Sequence, residues 1–278
     1  MAVKKSDSII IVGAGAFGLS TALYLHRDGY TNITVLEKGQ QIPSVYSAAN
    51  DLNKIVRAEY EDPFYTDLTV KAIDEWKTPL FAPYFHQTGF LHGVSGEAPT
   101  KAVDTLKRFW AAAEKHPDIQ PSVVALKDKG DIDRHAWQLR QGSLPGWSGY
   151  LNRYDGYAHS ADALAGIYRE LSGKGVRFLL GVEGTVDKIV YNSSQDPGQS
   201  LTKATGVKTK AGKTHEAKLV VVAAGAAASH IVPQTGRQVV AKSWAVAHVK
   251  LTDQETAWLR GIPVVYARDL GFLFEPDP

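Results

Sequence analysis

Cysteine is absent from the 278-residue sequence, which excludes disulfides, thiolate metal sites and cysteine nucleophiles. Long apolar runs are also missing, since no stretch approaches the roughly 18 apolar residues that cross a bilayer. The N-terminal stretch 1–15 is basic and then apolar, but glycines interrupt it and no signal cleavage site follows. The formal net charge is only +2, and the lysines and arginines are scattered. We therefore expect a soluble intracellular protein that binds neither nucleic acid nor a membrane.

The first forty residues have the pattern of a strand–helix–strand unit. Residues 8–12 (SIIIV) form a continuous β-branched run, which is typical of a strand buried on both faces of a parallel sheet. Residues 17–28 predict a helix that Gly29 ends, and residues 33–36 predict a second strand. The result is a right-handed βαβ unit.

A glycine motif, G-x-G-x-x-G, occupies residues 13–18 (GAGAFG) between the first strand and the helix. Its glycines permit a tight turn, a close approach of the backbone to a pyrophosphate, and close packing of the helix on the strand. Glu37 follows Gly18 by 19 residues and can accept hydrogen bonds from the ribose hydroxyls of an adenosine. The motif predicts a dinucleotide site and disfavours NADP. By itself it leaves FAD, NAD and a ligand-free glycine turn open.

A late apolar strand distinguishes between these cofactors. Residues 218–223 (KLVVVA) are predicted to return to the first sheet, and they end in a corner of small residues, 223–225 (AAG). A small-residue corner lets the backbone pass close to a dinucleotide without a β-carbon in the way. Such a corner beside the glycine turn is typical of FAD-dependent oxidases, so we expect FAD rather than NAD.

The region between these strands is predicted to be an insertion, so that two domains interleave. We expect an FAD-binding domain over 1–80 and 145–232, and a substrate domain over 81–144 and 233–278. The remaining predicted helices are 64–76, 104–115 and 161–172, the first with Phe64, Leu68, Ala72 and Trp76 at steps of four. The remaining predicted strands are 88–93, 176–180, 186–191, 204–210, 214–222 and 243–251.

Several stretches carry a resemblance to a known family. They are 10–15 (IIVGAG), 18–22 (GLSTA), 29–36 (GYTNITVL), 43–44 (PS), 47–55 (SAANDLNKI), 145–147 (PGW) and 271–277 (GFLFEPD). In them the chain resembles the sarcosine oxidases, L-pipecolate and saccharopine oxidases, and fructosyl amino acid oxidases (amadoriases). Residues 50–55 and 271–277 are similar to the amadoriase and saccharopine oxidase branch. Residues 56–60 (VRAEY) favour its saccharopine and pipecolate side.

The resemblance implies an α/β fold, α+β overall, in which a Rossmann-type FAD-binding domain interleaves with an antiparallel-sheet substrate domain, as in D-amino-acid oxidase. It implies FAD-dependent oxidation of the C–N bond of a secondary amino acid or fructosyl amino acid. Oxygen is the acceptor and H2O2 the product. The implied partners are a small-molecule amine and O2, and we expect a monomer in the cytoplasm or the peroxisome.

The resemblance also assigns site residues. Lys54 would lie near the flavin ring, Arg57 would bind the substrate carboxylate, and Glu275 would contact the substrate. Lys54 and Arg57 could instead be solvated surface charges, and Glu275 could be part of an ion pair. No metal ligands are predicted. The expected cofactor-binding residues are Gly13, Gly15, Ala16, Phe17, Gly18, Glu37, Lys38, Ser44, Ser47, Asn53, Lys54, Val186, Ala223, Ala224 and Gly225.

The chain departs from the family pattern at its C-terminus. Family members continue well past Pro278, so we expect a truncated chain, with a compact variant as the alternative. Because cysteine is absent, FAD would bind non-covalently. Two other functions remain open at this point: a catalytically inactive flavin-binding protein and an NAD-dependent dehydrogenase.

Overall fold

In a computed structural model of the chain, residues 2–192, 203–243 and 245–273 are described. The chain divides into unit 1, Met1–Asp51 with Ser160–Val246, and unit 2, Leu52–His159 with Ala247–Pro278. The boundaries therefore differ from the sequence-based ones at residues 80, 144 and 232. Which unit serves which function stays a prediction. Within the described residues, no helix has both the length and the apolar character needed to cross a membrane.

The described part of the chain contains both helices and strands. The helices are α1 (Ala16–Arg27), α2 (Pro63–Trp76), α3 (Thr100–Lys115), α4 (Lys129–His135), α5 (Ser160–Gly173), α6 (Gly181–Gly184), α7 (Ala228–Ile231) and α8 (Asp253–Leu259). The strands are β1 (Ile9–Val12), β2 (Ile33–Glu37), β3 (Lys54–Val56), β4 (Phe85–His86), β5 (Phe90–Val94), β6 (Val123–Leu126), β7 (Ser148–Asn152), β8 (Gly156–Ala158), β9 (Arg177–Leu180), β10 (Val186–Asn192), β11 (Lys203–Thr209), β12 (Thr214–Glu216), β13 (Leu219–Val222), β14 (Val264–Ala267) and β15 (Gly271–Leu273).

Unit 1 is built on a parallel sheet in the order β13-β1-β2-β9. β1 lies at the centre, where Ile9 pairs with both Leu219 and Ile33. Every residue of β1 and β2 is buried, which is why β1 is continuously apolar rather than alternating. The βαβ unit and the return of the late strand to the first sheet are confirmed.

A second sheet of unit 1, antiparallel β10-β11-β12, shares a core with the parallel one. Val186 and Val207 pack with Ile10, Val12 and Leu36 in a single buried cluster. Burial of these aliphatic side chains stabilises the junction by about 2 kcal/mol each.

Unit 2 contains a five-stranded sheet, β15-β14-β5-β7-β6, and a three-stranded sheet, β3-β8-β4. In the larger sheet only the β14–β5 pair is parallel, and the other three pairs are antiparallel. Helix α3 covers it, with Leu106 and Phe109 packed against Val94 and Tyr150. A parallel α/β sheet together with a largely antiparallel one confirms the predicted fold class.

The predicted helix 64–76 is confirmed as α2, but its apolar residues at steps of four do not all face the core. Phe64 and Leu68 are 66% and 52% exposed, whereas Val70 and Ile73 are buried. Asp62 caps the helix by accepting a hydrogen bond from the Phe64 N–H at 3.0 Å, so the helix itself begins where the sequence indicates. Apolar residues at steps of four form more than one stripe on this helix, and tertiary packing selects the other stripe.

Two strand predictions also change. Residues 245–251 form no strand, and their alternating side chains are exposed through residue 250 because no neighbouring strand of the described chain pairs with them. The predicted strand 214–222 divides into β12 and β13, since the Ala217 N–H donates to Thr205 and the Lys218 N–H donates to Ser8. The chain therefore crosses from the antiparallel to the parallel sheet at this point. Residues 116–139, which lacked a sequence-based assignment, contain β6 and α4.

Candidate functional site

The glycine turn of unit 1 follows β1 and can be formed only by glycine at two positions. Gly13 has a φ of +104°, and a β-carbon there would collide with the carbonyl oxygen of Ala223. A β-carbon on Gly18 would collide with the carbonyl oxygen of Gly13. The glycines therefore bring the turn, helix α1 and the end of β13 closer together than any other residue type allows.

Backbone hydrogen bonds hold this arrangement. The Gly13 N–H donates to the Leu36 carbonyl at 2.7 Å, and the Ala223 N–H donates to the Val12 carbonyl at 2.8 Å. The corner formed by Ala223, Ala224 and Gly225 thus begins directly beside the glycine turn, as the sequence predicts.

The N-terminus of α1 is open to an anion. Gly15 is the N-cap residue and has no side chain to occupy the first helical N–H groups, and the first turn contains no acidic residue. Ala16 and Phe17 lie in that first turn, and Phe17 is 85% exposed. A diphosphate requires free amides of this kind.

Glu37 lies at the end of β2 and is 6% exposed. Its carboxylate accepts hydrogen bonds from the Ala14 N–H at 2.9 Å and from the Gly39 N–H at 2.8 Å. A carboxylate has about four acceptor positions, so roughly two remain for the hydroxyls of a ribose. Glu37 therefore supports the glycine turn and is also suited to bind the sugar.

Of the remaining predicted cofactor residues of the 38–47 segment, Ser47 lies beside the same turn. The Ser47 hydroxyl accepts a hydrogen bond from Ala49 at 3.2 Å, and a β-carbon on Gly15 would lie 3.4 Å from it. Ser44 is buried against Gly39. The Lys38 ammonium lies 4.4 Å from the centre of a tyrosine ring. These residues belong to unit 1, and their contact with a cofactor stays a prediction.

We also expect residues 182–186 to lie on the strand beside the adenine, and this prediction is wrong in part. Val182 lies in the single-turn helix α6 and is 59% exposed. The turn begins at Gly181, whose φ is +64°, and the Thr185 hydroxyl donates to its carbonyl at 2.7 Å. Only Val186 belongs to a strand, as the first residue of β10.

In unit 2, Asn53 immediately precedes β3, and Lys54 begins it, opposite Ala158 of β8. Arg57 follows β3, and its guanidinium carbon lies 4.5 Å from the ring centres of both Tyr60 and Phe109. Glu275, the other predicted substrate residue, lies outside the described residues.

A buried polar network in unit 2 was not predicted from the sequence. His92 is fully buried, and this burial, together with the charges of Arg268 and Arg57, lowers its pKa to about 3. Its Nε2 lies 3.1 Å from the Arg268 guanidinium, which can only donate. Neutral His92 must therefore accept at Nε2 and donate from Nδ1 to the Tyr150 hydroxyl, 3.0 Å away.

The network ends at a buried carboxylate pair. Tyr150 donates to Glu59 Oε1 at 2.6 Å, and the Asn152 amide donates to Oε2 at 3.0 Å. Asp155 accepts from the Ala58 N–H at 2.8 Å, and burial and the adjacent Glu59 raise its pKa well above its ordinary value. The second Asp155 oxygen is buried without a hydrogen bond to the described residues. A proton on Asp155 removes the repulsion between the two acids and gives that oxygen a donor role.

No signal in one sequence points to these residues. Glu59 lies in a run of acidic and polar residues that reads as surface, and His92 and Arg268 lie 176 positions apart. Strand pairing brings them together, because β5 lies between β7 and β14 and places His92 opposite both Tyr150 and Tyr266.

Comparisons with known proteins agree with this geometry. A family model described as FAD dependent oxidoreductase matches residues 8–277. The chain is 31% identical to L-saccharopine oxidase of Schizosaccharomyces pombe, over 98% of this chain and 63% of the relative. It is similar to the crystal structure of fructosamine oxidase (Amadoriase II) from Aspergillus fumigatus, with a TM-score of 0.85, 33% identity, and coverage of 100% and 62%. Fructosyl peptide oxidase from E. terrenum gives a TM-score of 0.87, 32% identity, and coverage of 99% and 62%.

The chain thus spans a little under two thirds of the length of these relatives. The family match supports FAD rather than NAD as the dinucleotide.

Proposed function

We propose, because this chain belongs to the FAD dependent oxidoreductase family, that it oxidises the C–N bond of a secondary amine in an amino acid or fructosyl amino acid. The acceptor would be O2 and the product H2O2. The observation that carries the proposal is the glycine turn, which has no room for a β-carbon at Gly13 or Gly18 and is hydrogen-bonded to the Glu37 carboxylate. This arrangement fits the diphosphate and ribose of FAD. A monomeric state and a cytoplasmic or peroxisomal location stay predictions from the resemblance.

The residues present fit the adenosine diphosphate half of the cofactor. The open N-terminus of α1 would hold the diphosphate, Glu37 would hold the ribose, and the corner at Ala223 leaves room for the backbone to pass. Bound FAD supplies a hydride acceptor for the carbon next to the amine. The role of Lys54 beside the flavin ring remains a prediction.

Arg57 would bind the substrate carboxylate and so orient the amine. Two aromatic faces fix the plane of its guanidinium, which leaves the N–H edge for a bidentate hydrogen-bonded pair. Within the described residues no carboxylate lies within 4.0 Å of it, so a substrate carboxylate would not have to displace one of them.

The relatives support the substrate class. One is named an L-saccharopine oxidase, one a fructosamine oxidase and one a fructosyl peptide oxidase. We infer the same class for this chain, with Arg57 as the residue that distinguishes carboxylated from uncharged amines.

The test is an absorbance spectrum of the purified, FAD-loaded chain, followed by anaerobic titration with sarcosine, L-pipecolate, L-saccharopine and fructosyl glycine. We expect bound flavin that acid precipitation releases, and bleaching by at least one amine. Arg57→Gln should raise the concentration for half-reduction about tenfold or more. Arg153→Gln is the control, because Arg153 is an exposed arginine of the same unit whose guanidinium contacts His135 rather than the rings that hold Arg57. A chain that cannot hold FAD, or flavin that none of these amines reduces, contradicts the proposal.

A further inference from the structure

Two arginines of unit 2 share one aromatic ring. The Arg57 guanidinium carbon lies 4.5 Å from the centre of the Phe109 ring, and that of Arg268 lies 5.5 Å from the same centre. The two guanidinium groups are therefore no more than 10 Å apart. Both side chains are half-buried, so their mutual repulsion is less screened than on an open surface.

The described residues give neither arginine a carboxylate in direct contact, although the charge of Arg57 acts on the buried Asp155. No carboxylate among them lies within 4.0 Å of either guanidinium, and Asp269, the residue next to Arg268, is held instead by the backbone N–H and hydroxyl of Ser95. Glu59 is the buried acid of the same network, but Tyr150 and Asn152 donate to its two oxygens.

The orientation of Arg268 is fixed without an ion pair. One guanidinium N–H donates to His92 Nε2 at 3.1 Å, and the backbone N–H of Arg268 donates to the Gly93 carbonyl at 2.9 Å. Tyr150 and Glu59 in turn hold His92. A hydrogen-bond chain that starts at a buried carboxylate therefore aims this arginine, and the rest of its N–H groups remain for a ligand.

We propose that Arg268 is a second anion-binding residue beside Arg57, and that the two together take an amine that carries two carboxylates. The inference rests on the proposed function for the amine and for the role of Arg57. A dianion gives each guanidinium a carboxylate partner, whereas a monoanion leaves one of them without one. The pair would thus select dicarboxylated over monocarboxylated substrates.

The test uses two ether analogues that cannot be oxidised as amines. Diglycolate carries two carboxylates and methoxyacetate carries one, on otherwise matching chains. Calorimetric titration of the FAD-loaded full-length chain should give at least about tenfold tighter binding of diglycolate. Arg268→Gln should remove most of that preference while changing methoxyacetate affinity less than about threefold, whereas Arg57→Gln should weaken both ligands.

Arg153→Gln, the control, should change neither affinity. Should Arg268→Gln fail to fold, Arg268→Lys takes its place, because it retains the charge but loses the bidentate guanidinium. Its preference for diglycolate over methoxyacetate should be smaller than that of the wild type. Equal binding of the two ethers by the wild type, or a preference that survives in Arg268→Gln, overturns the inference. Calorimetry reads anion binding without flavin reduction, so a chain that binds diglycolate but is reduced by no amine contradicts the proposed function and leaves this inference standing.

Discussion

Acidification should destabilise unit 2 through His92. The pKa of His92 is about 3 in the folded chain and 6.5 ordinarily, so below pH 6.5 the unfolded chain binds a proton that the folded chain does not. The stability that neutral His92 contributes is therefore complete above pH 6.5 and is lost as the pH falls toward 3. Each pH unit in this window removes about 1.4 kcal/mol, or about 2.7 kcal/mol between pH 6.5 and about 4.5.

The assay is urea unfolding followed by tryptophan fluorescence at several pH values from about 7.5 to about 4.5. Fluorescence reports mainly on unit 2, because that unit contains five of the six tryptophans: Trp76, Trp110, Trp137, Trp147 and Trp258. The comparison variant is His92→Gln, whose side chain can still accept a hydrogen bond from Arg268 but does not titrate. Acidic groups common to both proteins cancel in the difference.

We expect the wild type to lose about 2–3 kcal/mol more than His92→Gln across this range. Tyr150→Phe serves as the control, because it removes the hydrogen bond to His92 but leaves the imidazole buried. Tyr150 does not titrate in this range, because burial and Glu59 raise its pKa well above 10. Tyr150→Phe should therefore be less stable at every pH, while its stability falls with pH as steeply as that of the wild type. If stability falls equally with pH in the wild type and in His92→Gln, the network cannot contain a neutral imidazole that accepts from Arg268 and donates to Tyr150.

Three further predictions concern the glycine turn and the carboxylate pair. Gly13→Ala should lose FAD retention and stability, because a β-carbon there meets the Ala223 carbonyl; Gly29→Ala, at a φ of +87° with open space around it, should cost only about 1–2 kcal/mol and keep FAD. Glu37→Gln should weaken FAD binding about tenfold in a fluorescence titration, since each carboxylate oxygen accepts one backbone hydrogen bond and the NH2 group of an amide can accept none. Unchanged affinity would contradict its role at the ribose. The folded chain retains a proton on Asp155 above the ordinary pKa of 3.8, so stability falls as pH rises toward the raised folded pKa. Asp155→Asn should therefore gain stability relative to the wild type as the pH rises above 3.8, and a pH-independent difference in urea midpoints would count against it.

Residue type was sufficient to predict the nucleotide half of the site. Gly13 and Gly18 occupy positions where a β-carbon has no space, and Glu37 ends the strand that directly follows the helix. These constraints are local, or they involve one neighbouring strand whose apolar run is conspicuous. The turn, the acid and the corner at Ala223 could therefore be predicted from the residues alone.

Packing choices between equivalent patterns could not be predicted in this way. Helix α2 has apolar residues on more than one side, and its burial of Val70 and Ile73 rather than Phe64 and Leu68 depends on what unit 2 offers as a neighbour. Residues 245–251 alternate as a strand does, but a strand also needs a partner with free backbone groups.

The amino-acid sequence by itself thus determined the dinucleotide turn, because backbone chirality acts at each glycine, and the strand before Ala223, whose carbonyl excludes a β-carbon on Gly13, is a conspicuous apolar run. Only the tertiary structure decided the buried polar network of unit 2. The pairing of β5 with both β7 and β14 brings His92 between Tyr150 and Arg268, and it buries Glu59 and Asp155 together. Burial is what lowers the pKa of that imidazole and raises the pKa of that acid, and burial belongs to the assembled sheet rather than to any single residue.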